Sequence, residues 1–264
     1  MKQKVTVFWF RRDLRFFDNA GFYHALKSGN PVLPVFIFDT EILDKLNNCS
    51  DARVSFIYAE IQKLKIEFEK RNSSLDVFYS KPLAAFQKLT SEFKVHAVYT
   101  NKDYEPYAIQ RDEDIERFLM SKGIRFHSFK DHILFEENEV LKDNHEPYTV
   151  FTPYSKKWKQ MLADTEISHF PSEKYLDNLL KINSFVLPEL KEIGFKKSEI
   201  TVPPAQISEK IIEEYAAKRD LPAVEGTTRL GVHLRFGTVS IRLLTQRALE
   251  LSEVFLNELI WRNF

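Results

Sequence analysis

The sequence predicts an α/β fold on a five-stranded parallel, doubly wound sheet, followed by a linker and the first helices of an all-α region. Three observations carry this. Short apolar runs alternate with helix-length amphipathic segments over residues 1–130. Prolines 147, 153, 171, 188, 203 and 204 then fall where periodic stretches are few. From Ile207 onward strand-like runs stop and helical periodicity takes over. The expected boundaries are therefore 1–130, 131–206 and 207–264.

Val5–Phe10 is the first apolar run, ended by the polar stretch Arg11–Arg15. Asp18 stands where it can cap a helix from Asn19 to Ser28. Pro31–Phe38, Leu75–Tyr79, Val95–Thr100 and Ile124–Ser128 supply four more strands. Ile57, Ile61, Leu64 and Phe68 recur at i, i+4, i+7 and i+11 and share one helical face. Glu105–Lys122 is a second amphipathic helix, with Gly123 as its C-terminal cap. Strands alternating with such helices mean βαβ units, a parallel sheet and helices on both faces. The linker holds one helix near Ser155–Ala163. After it, Ile207, Ile211 and Tyr215 share a face, as do Ile241, Leu244, Ala248 and Leu251, and Ser252–Phe264 also reads as helix.

Composition excludes several classes. The chain has 264 residues, 23 of them Phe and only 7 Gly. That is about 2.7% glycine against a norm of about 7%. No glycines are spaced as G-x-G-x-x-G or as a P-loop, so neither dinucleotide fingerprint nor phosphate cradle is present. The single cysteine, Cys49, rules out an internal disulfide framework and suits a reducing cytoplasmic setting. No run approaches the length of a membrane span, and the seven histidines form no H-E-x-x-H, so neither a membrane nor a metal is expected. Net charge is zero, 38 basic against 38 acidic, so any nucleic-acid site must be argued from particular residues.

Three places carry candidate chemistry. Open parallel sheets bind ligands at the carboxyl ends of their strands; the polar residues there are Arg11, Arg12, Asp13, Asp39 and Asn101–Glu105. Solvated loops with structural ion pairs suit the same pattern. In Asp220–Arg235 the hydroxyls of Thr227 and Thr228 follow Gly226 and precede Arg229. Such a set can clamp a phosphate, and an N-capped turn suits it equally. In the last ten residues Glu258, Trp261 and Arg262 stand at i, i+3 and i+4 on one helical face. They read either as a Glu258–Arg262 pair beside a core tryptophan or as a stacking ring with a carboxylate and an arginine, fit for a base-like ligand.

Four stretches together resemble the photolyase/cryptochrome family along essentially the whole chain. They are Val7–Arg15 with Asp18-Asn19, Tyr148–Trp158, Asp220–Arg242 and Leu256–Phe264. The order and spacing match the family, closest to its cyclobutane pyrimidine dimer photolyases. The resemblance implies an antenna domain, a linker and the start of a helical FAD-binding domain. It places Tyr215, Thr227, Thr228, Arg229, Leu230 and Arg262 at the FAD, with Gly231 where a serine is usual. It places Asn257, Glu258 and Trp261 in the lesion pocket, Glu258 and Trp261 as the catalytic pair. Phe255 stands where a tryptophan is common, and Asn263 where glutamate usually follows the arginine.

The implied activity is light-dependent repair of cyclobutane pyrimidine dimers by electron transfer from reduced FAD, a deoxyribodipyrimidine photo-lyase. A blue-light receptor on the same fold is the alternative, and a nucleotide-binding α/β module without flavin is a third. UV-damaged DNA is the implied partner, with a monomer when complete. A second antenna chromophore of unknown identity is possible; Tyr107 and Ala108 stand where folate-binding members carry an Asn-Glu pair, so folate is unsupported. The family's flavin domain continues beyond the tryptophan–arginine helix. The chain is therefore read as an N-terminal portion expected to bind FAD weakly or not at all.

Overall fold

Val5, Val7 and Trp9 point to one side of the first strand, β1 (Lys4–Phe10), and Phe8 and Phe10 to the other, and all five are buried. A strand apolar on both faces belongs at the centre of a covered sheet. The computed structural model describes residues 2–206 and 208–264 and puts it there. After β1 come α1 (Ala20–Leu26), β2 (Val32–Asp39), α2 (Thr40–Leu43), α3 (Ala52–Glu69), β3 (Asp76–Ser80) and α4 (Pro82–Glu92). Then follow β4 (Lys94–Asn101), α5 (Pro106–Met120) and β5 (Arg125–Phe129). The five strands pair in parallel in the order β3-β2-β1-β4-β5. The winding reverses between β1 and β4, so their carboxyl ends flank the crevice of the sheet.

Two cores cover the faces. On one, Phe8, Phe10, Phe22 and Phe68 pack edge to face or tilted with α1 and α3, and Phe36 meets Phe38 edge-on in the same layer. On the other, Trp9, Val35, Phe86, Leu89, Ile115 and Leu119 pack beneath α4 and α5. One layer of the sheet thus draws heavily on the phenylalanine-rich composition. Pro82 and Pro106 open α4 and α5 at the first helical turn, where a missing N–H costs nothing. The helix α4 has no counterpart among the helices read from periodicity.

The first helix begins one residue later than its sequence suggests. Asn19, not Asp18, is the cap, its Oδ1 accepting from the Phe22 N–H at 3.0 Å. Asp18 has a left-handed φ of +40°, and its carboxylate accepts instead from the Phe170 N–H. Asn101, at the end of β4, accepts from the Gly21 N–H at 2.8 Å and donates to Asp13 at 2.6 Å and Asn19 at 2.8 Å. A Cβ on Gly21 would lie 2.8 Å from the Asn101 side-chain oxygen, so glycine is what lets α1 approach β4.

The chain divides into two units. The first comprises residues 1–131, 170–202 and 236–238; the second comprises 132–169, 203–235 and 239–264. The stretch read as a linker therefore contributes to both. In the first unit Arg15, buried, donates to both Asp131 oxygens at 2.7 and 2.9 Å and to the Gly237 carbonyl at 2.9 Å. The second unit contains α6 (Phe151–Ala163), α7 (Glu209–Glu213), α8 (Tyr215–Lys218), most of α9 (Gly231–Phe236), α10 (Ile241–Leu251) and α11 (Glu253–Asn263). Trp158, Ile212, Leu230, Leu244, Ala248 and Ile260 form its core. Ile207 lies outside the described residues; of its expected face Tyr215 joins the rim of that core, while Ile212 is the fully buried residue of α7.

Candidate functional site

In the second unit, Ser252 caps α11 by accepting from the Phe255 N–H. Phe255, Leu256, Leu259 and Ile260 anchor its inner face. That fixes Asn257, Glu258, Trp261 and Arg262 toward the rim. Trp261 is 51% exposed and is not a core residue. Its ring lies flat on Phe151 of α6, centroids 3.8 Å apart and planes 5° from parallel, and Phe264 closes against the pair edge-on.

Glu258 does not pair with Arg262. It forms an ion pair with Arg219, which also lies over the Tyr215 ring at 5.8 Å. Tyr215 packs edge-on against Phe255 at 5.1 Å. Burial, and then the Glu258 charge, hold the Tyr215 hydroxyl above its ordinary pKa, so it stays protonated. Arg262 turns to the protein instead, donating to the His132 carbonyl at 2.8 Å and the Leu234 carbonyl at 3.2 Å. Asn257 is half-buried beside Glu258.

Thr227 and Thr228 lie on the loop before α9 with exposed and half-exposed side chains. Gly226 fits against α8, where a Cβ would stand 2.3 Å from the Lys218 carbonyl. Arg229 takes a left-handed φ of +51° and reaches Glu225 at 3.6 Å, while Leu230 is sunk in the core. The loop is thus pinned at both ends with two hydroxyls and a guanidinium between. The structure brings together Tyr215 and Glu258, through Arg219, and sets Trp261 on Phe151; Arg262 stands apart from Glu258. Arg219 and Phe151 were not singled out from sequence, since neither lies on the face defined by Glu258 and Trp261. Asn263, which departs from the family pattern, accepts from the Trp158 indole N–H at 3.2 Å and donates to the Phe135 carbonyl at 3.0 Å.

The crevice of the first unit holds a second cluster. The guanidiniums of Arg11 and Arg111 each lie 4.8 Å from the Trp9 ring. Both arginines pair with Asp112, Arg12 pairs with Asp103 at 3.1 Å, and Tyr107 donates to Asp39 at 2.6 Å. Burial, reinforced by the Asp39 charge, drives the Tyr107 hydroxyl far above its usual range. The charges pair with one another, while the buried Trp9 indole N–H has no hydrogen-bond partner among the described residues.

The DNA photolyase family model matches residues 6–173. An uncharacterized 31.6 kDa protein of Synechococcus sp. strain PCC 6716 is 30% identical, with all of both chains covered. A deoxyribodipyrimidine photo-lyase of Synechococcus sp. strain PCC 6301 is 28% identical over 98% of this chain and 59% of its own length. This chain thus spans about 60% of the length of the photo-lyases it matches. The crystal structure of an archaeal photolyase from Sulfolobus tokodaii with two FAD molecules superposes with a TM-score of 0.71 at 27% identity. It covers 99% of this chain and 58% of that one. Together with the five-stranded parallel sheet and its two helical layers, the family match over 6–173 places the chain in the DNA photolyase family.

Proposed function

We propose that this chain serves light-dependent repair of pyrimidine dimers in DNA, and that α11 presents the lesion-binding surface. The observation that carries the reading is the Trp261–Phe151 stack beside the Glu258–Arg219 pair. A flipped-out pyrimidine can lie on the open face of an aromatic ring, which contributes about 1–3 kcal/mol per stacked base. The Glu258 carboxylate accepts from a pyrimidine N3–H, and the Arg219 guanidinium donates to the neighbouring carbonyl. Side by side, the two match the donor–acceptor edge of that base. Asn257 adds an amide at the same rim.

The family implies FAD. The Thr227 and Thr228 hydroxyls and the Arg229 guanidinium, held on a pinned loop at the unit's surface, fit an anionic diphosphate. Tyr215 offers a ring nearby on the same unit. Arg262, engaged with two backbone carbonyls, acts as a brace for the helix end. Reduced flavin supplies the excited-state electron when bound; the protein's own residues hold the diphosphate and position the lesion. In the crevice around Trp9 the charges are paired, and among the described residues the buried Trp9 indole N–H is the one group of that cluster left for a ligand to meet.

The test uses an oligonucleotide with a single thymine dimer, incubated with the protein and excess reduced FAD under anaerobic blue light. Dimer loss in the light and not in the dark is expected. Preference for damaged over undamaged DNA is expected to fall about tenfold in Trp261→Ala. Dark and light samples alike, with no preference for damaged DNA, would sink the reading.

A further inference from the structure

The amino edge of the sheet carries charge that the fold does not consume. β1 and β4 begin side by side at Lys4 and Lys94, which are register partners, and β5 begins next to β4 at Arg125. Lys2 precedes β1, and Lys122 follows α5. Lys2, Lys4, Lys94, Lys122 and His96 line an open groove of about 830 Å3, and Arg125 reaches His96 Nε2 at 3.2 Å. The floor is apolar, made by Phe93, Val95 and Ile124.

Among the described residues none of these four lysines, nor Arg125, forms an ion pair with a carboxylate. Yet the chain has one acid for every base, and other exposed lysines are paired: Lys63 with Glu60, Lys70 with Glu67, Lys191 with Glu189. Within the groove Lys2 donates to the Thr90 carbonyl at 3.3 Å, and Lys122 lies over the Phe118 ring. The histidines sense the resulting field. Partial burial lowers the pKa of His96, and the charges of Lys4 and Arg125 lower it further; His127 is lowered in the same way, with Arg125 the main charge.

Concentrated positive potential without internal counter-charge draws anions from solution. Neighbouring strands lie about 4.8 Å apart, so the row from β1 across β4 to β5 spans about 10 Å. That is the length of about three steps along one nucleic-acid strand at about 3.4 Å of rise each. An apolar floor suits sugar faces and offers no donor to read a base, so contact of this kind is independent of sequence.

We propose that this groove binds the phosphodiester backbone of nucleic acid, as a second contact independent of the Glu258–Trp261 surface. The inference does not rest on the lesion reading, because the backbone it recognises is the same in damaged and undamaged DNA.

The test measures anisotropy of a fluorescein-labelled, undamaged 20-bp duplex from 25 to 200 mM salt. The triple variant Lys4→Glu, Lys94→Glu, Lys122→Glu is compared with Lys63→Glu, Lys70→Glu, Lys191→Glu, which changes net charge equally on other surfaces. The edge variant is expected to bind at least tenfold more weakly, with its salt slope reduced by about 2 to 3. The control is expected to stay within about threefold, and Lys2→Glu with Lys122→Glu, both outside the strands, to lose an intermediate amount with unchanged circular dichroism. Equal losses in both triples, no binding by the unaltered chain, or displacement of the duplex by polyglutamate at equal charge would overturn the proposal. The last would assign the groove to an acidic polypeptide.

Discussion

The Trp261 ring rests on Phe151 at 3.8 Å, although the two residues lie 110 positions apart, on α11 and α6 of the same unit. Trp261 is 51% exposed, whereas Trp9 and Trp158 are almost fully buried. Aqueous quenchers such as acrylamide therefore reach Trp261 first. Phe151→Leu keeps a hydrophobic side chain on α6 but removes the flat partner. The quenchable fraction of emission is expected to rise, and affinity for a dimer-containing oligonucleotide to fall several-fold, since an aromatic pair contributes about 0.5–1.5 kcal/mol beyond its burial. Unchanged quenching with unchanged lesion affinity would show that Phe151 does not orient the ring.

Asp76, buried at the start of β3, has its carboxyl pushed up to about 6, chiefly by burial, with Lys88 pulling the other way and Glu92 adding to the rise. A carboxyl whose folded pKa exceeds its unfolded value favours the native state only while protonated. Stability is therefore lost as pH rises from about 4 to 6, and stays lost above. Asp76→Asn removes the charge. It is expected to stabilise the protein by about 2 kcal/mol at pH 8, with the gain shrinking at pH 5 and vanishing near pH 4. Thermal melts at these pH values check this; an equal gain at pH 5 and pH 8 would refute it.

Asp131 is fully buried, and its Oδ1 also accepts from the Ala20 N–H at 3.0 Å. Removing it would leave the Arg15 guanidinium buried beside two backbone carbonyls and no anion. Asp131→Ala is expected to cost about 3–5 kcal/mol, measured by urea unfolding. Replacing Arg15 and Asp131 together by Met and Leu is expected to recover much of that loss. If the double variant is as unstable as the single, the uncompensated charge is not the cause.

Gly237 has a φ of +64°, and a Cβ there would stand 2.2 Å from the Arg12 carbonyl. Gly237→Ala must therefore strain the backbone and displace the loop after β1. A loss of at least about 2 kcal/mol is expected. Gly29→Ala is the comparison: its φ of +81° brings the same backbone strain, but no heavy atom lies within 4 Å of the added Cβ. Equal losses at the two glycines would discount the steric clash.

Asn263→Leu deprives the Trp158 indole N–H and the Phe135 backbone of their partners. An expected loss of about 1–3 kcal/mol follows from leaving a buried donor unmet. If Asn263→Glu melts at the wild-type temperature, the carboxylate serves that donor as well as the amide does.

How far the sequence could be read depended on where each signal resides. The strands were legible because burial on both sides leaves continuous apolar runs, as in VTVFWF. Helix α4 escaped because its opening Pro-Leu-Ala-Ala-Phe follows directly on β3 with one residue between them. The α1 cap was displaced by one position because two adjacent residues, Asp18 and Asn19, are both good caps, and Phe170, far along the chain, takes the carboxylate of the first. At the site, i, i+3 spacing places Glu258 and Trp261 on one helical face, and the fold gives each a different partner, Arg219 for the first and Phe151 for the second. Helical spacing also suggested Glu258–Arg262, which the fold rejects in favour of Arg219, 39 residues earlier. Periodicity sees one helix at a time, and both partners that matter come from other elements.

The first unit is closed by pieces made late. Its sheet is complete by Phe129, yet Leu176, Leu179 and Ile193 fill the layer beneath α1 and α3, and Phe236 packs against Phe56. The Leu14 N–H waits for the Phe236 carbonyl, and Arg15 for that of Gly237. At about 5–20 residues per second of synthesis, roughly 5–20 seconds separate residue 131 from residue 238. A nascent chain in that interval lacks the residues that close this aromatic layer, and apolar surface left open during synthesis is what chaperones cover.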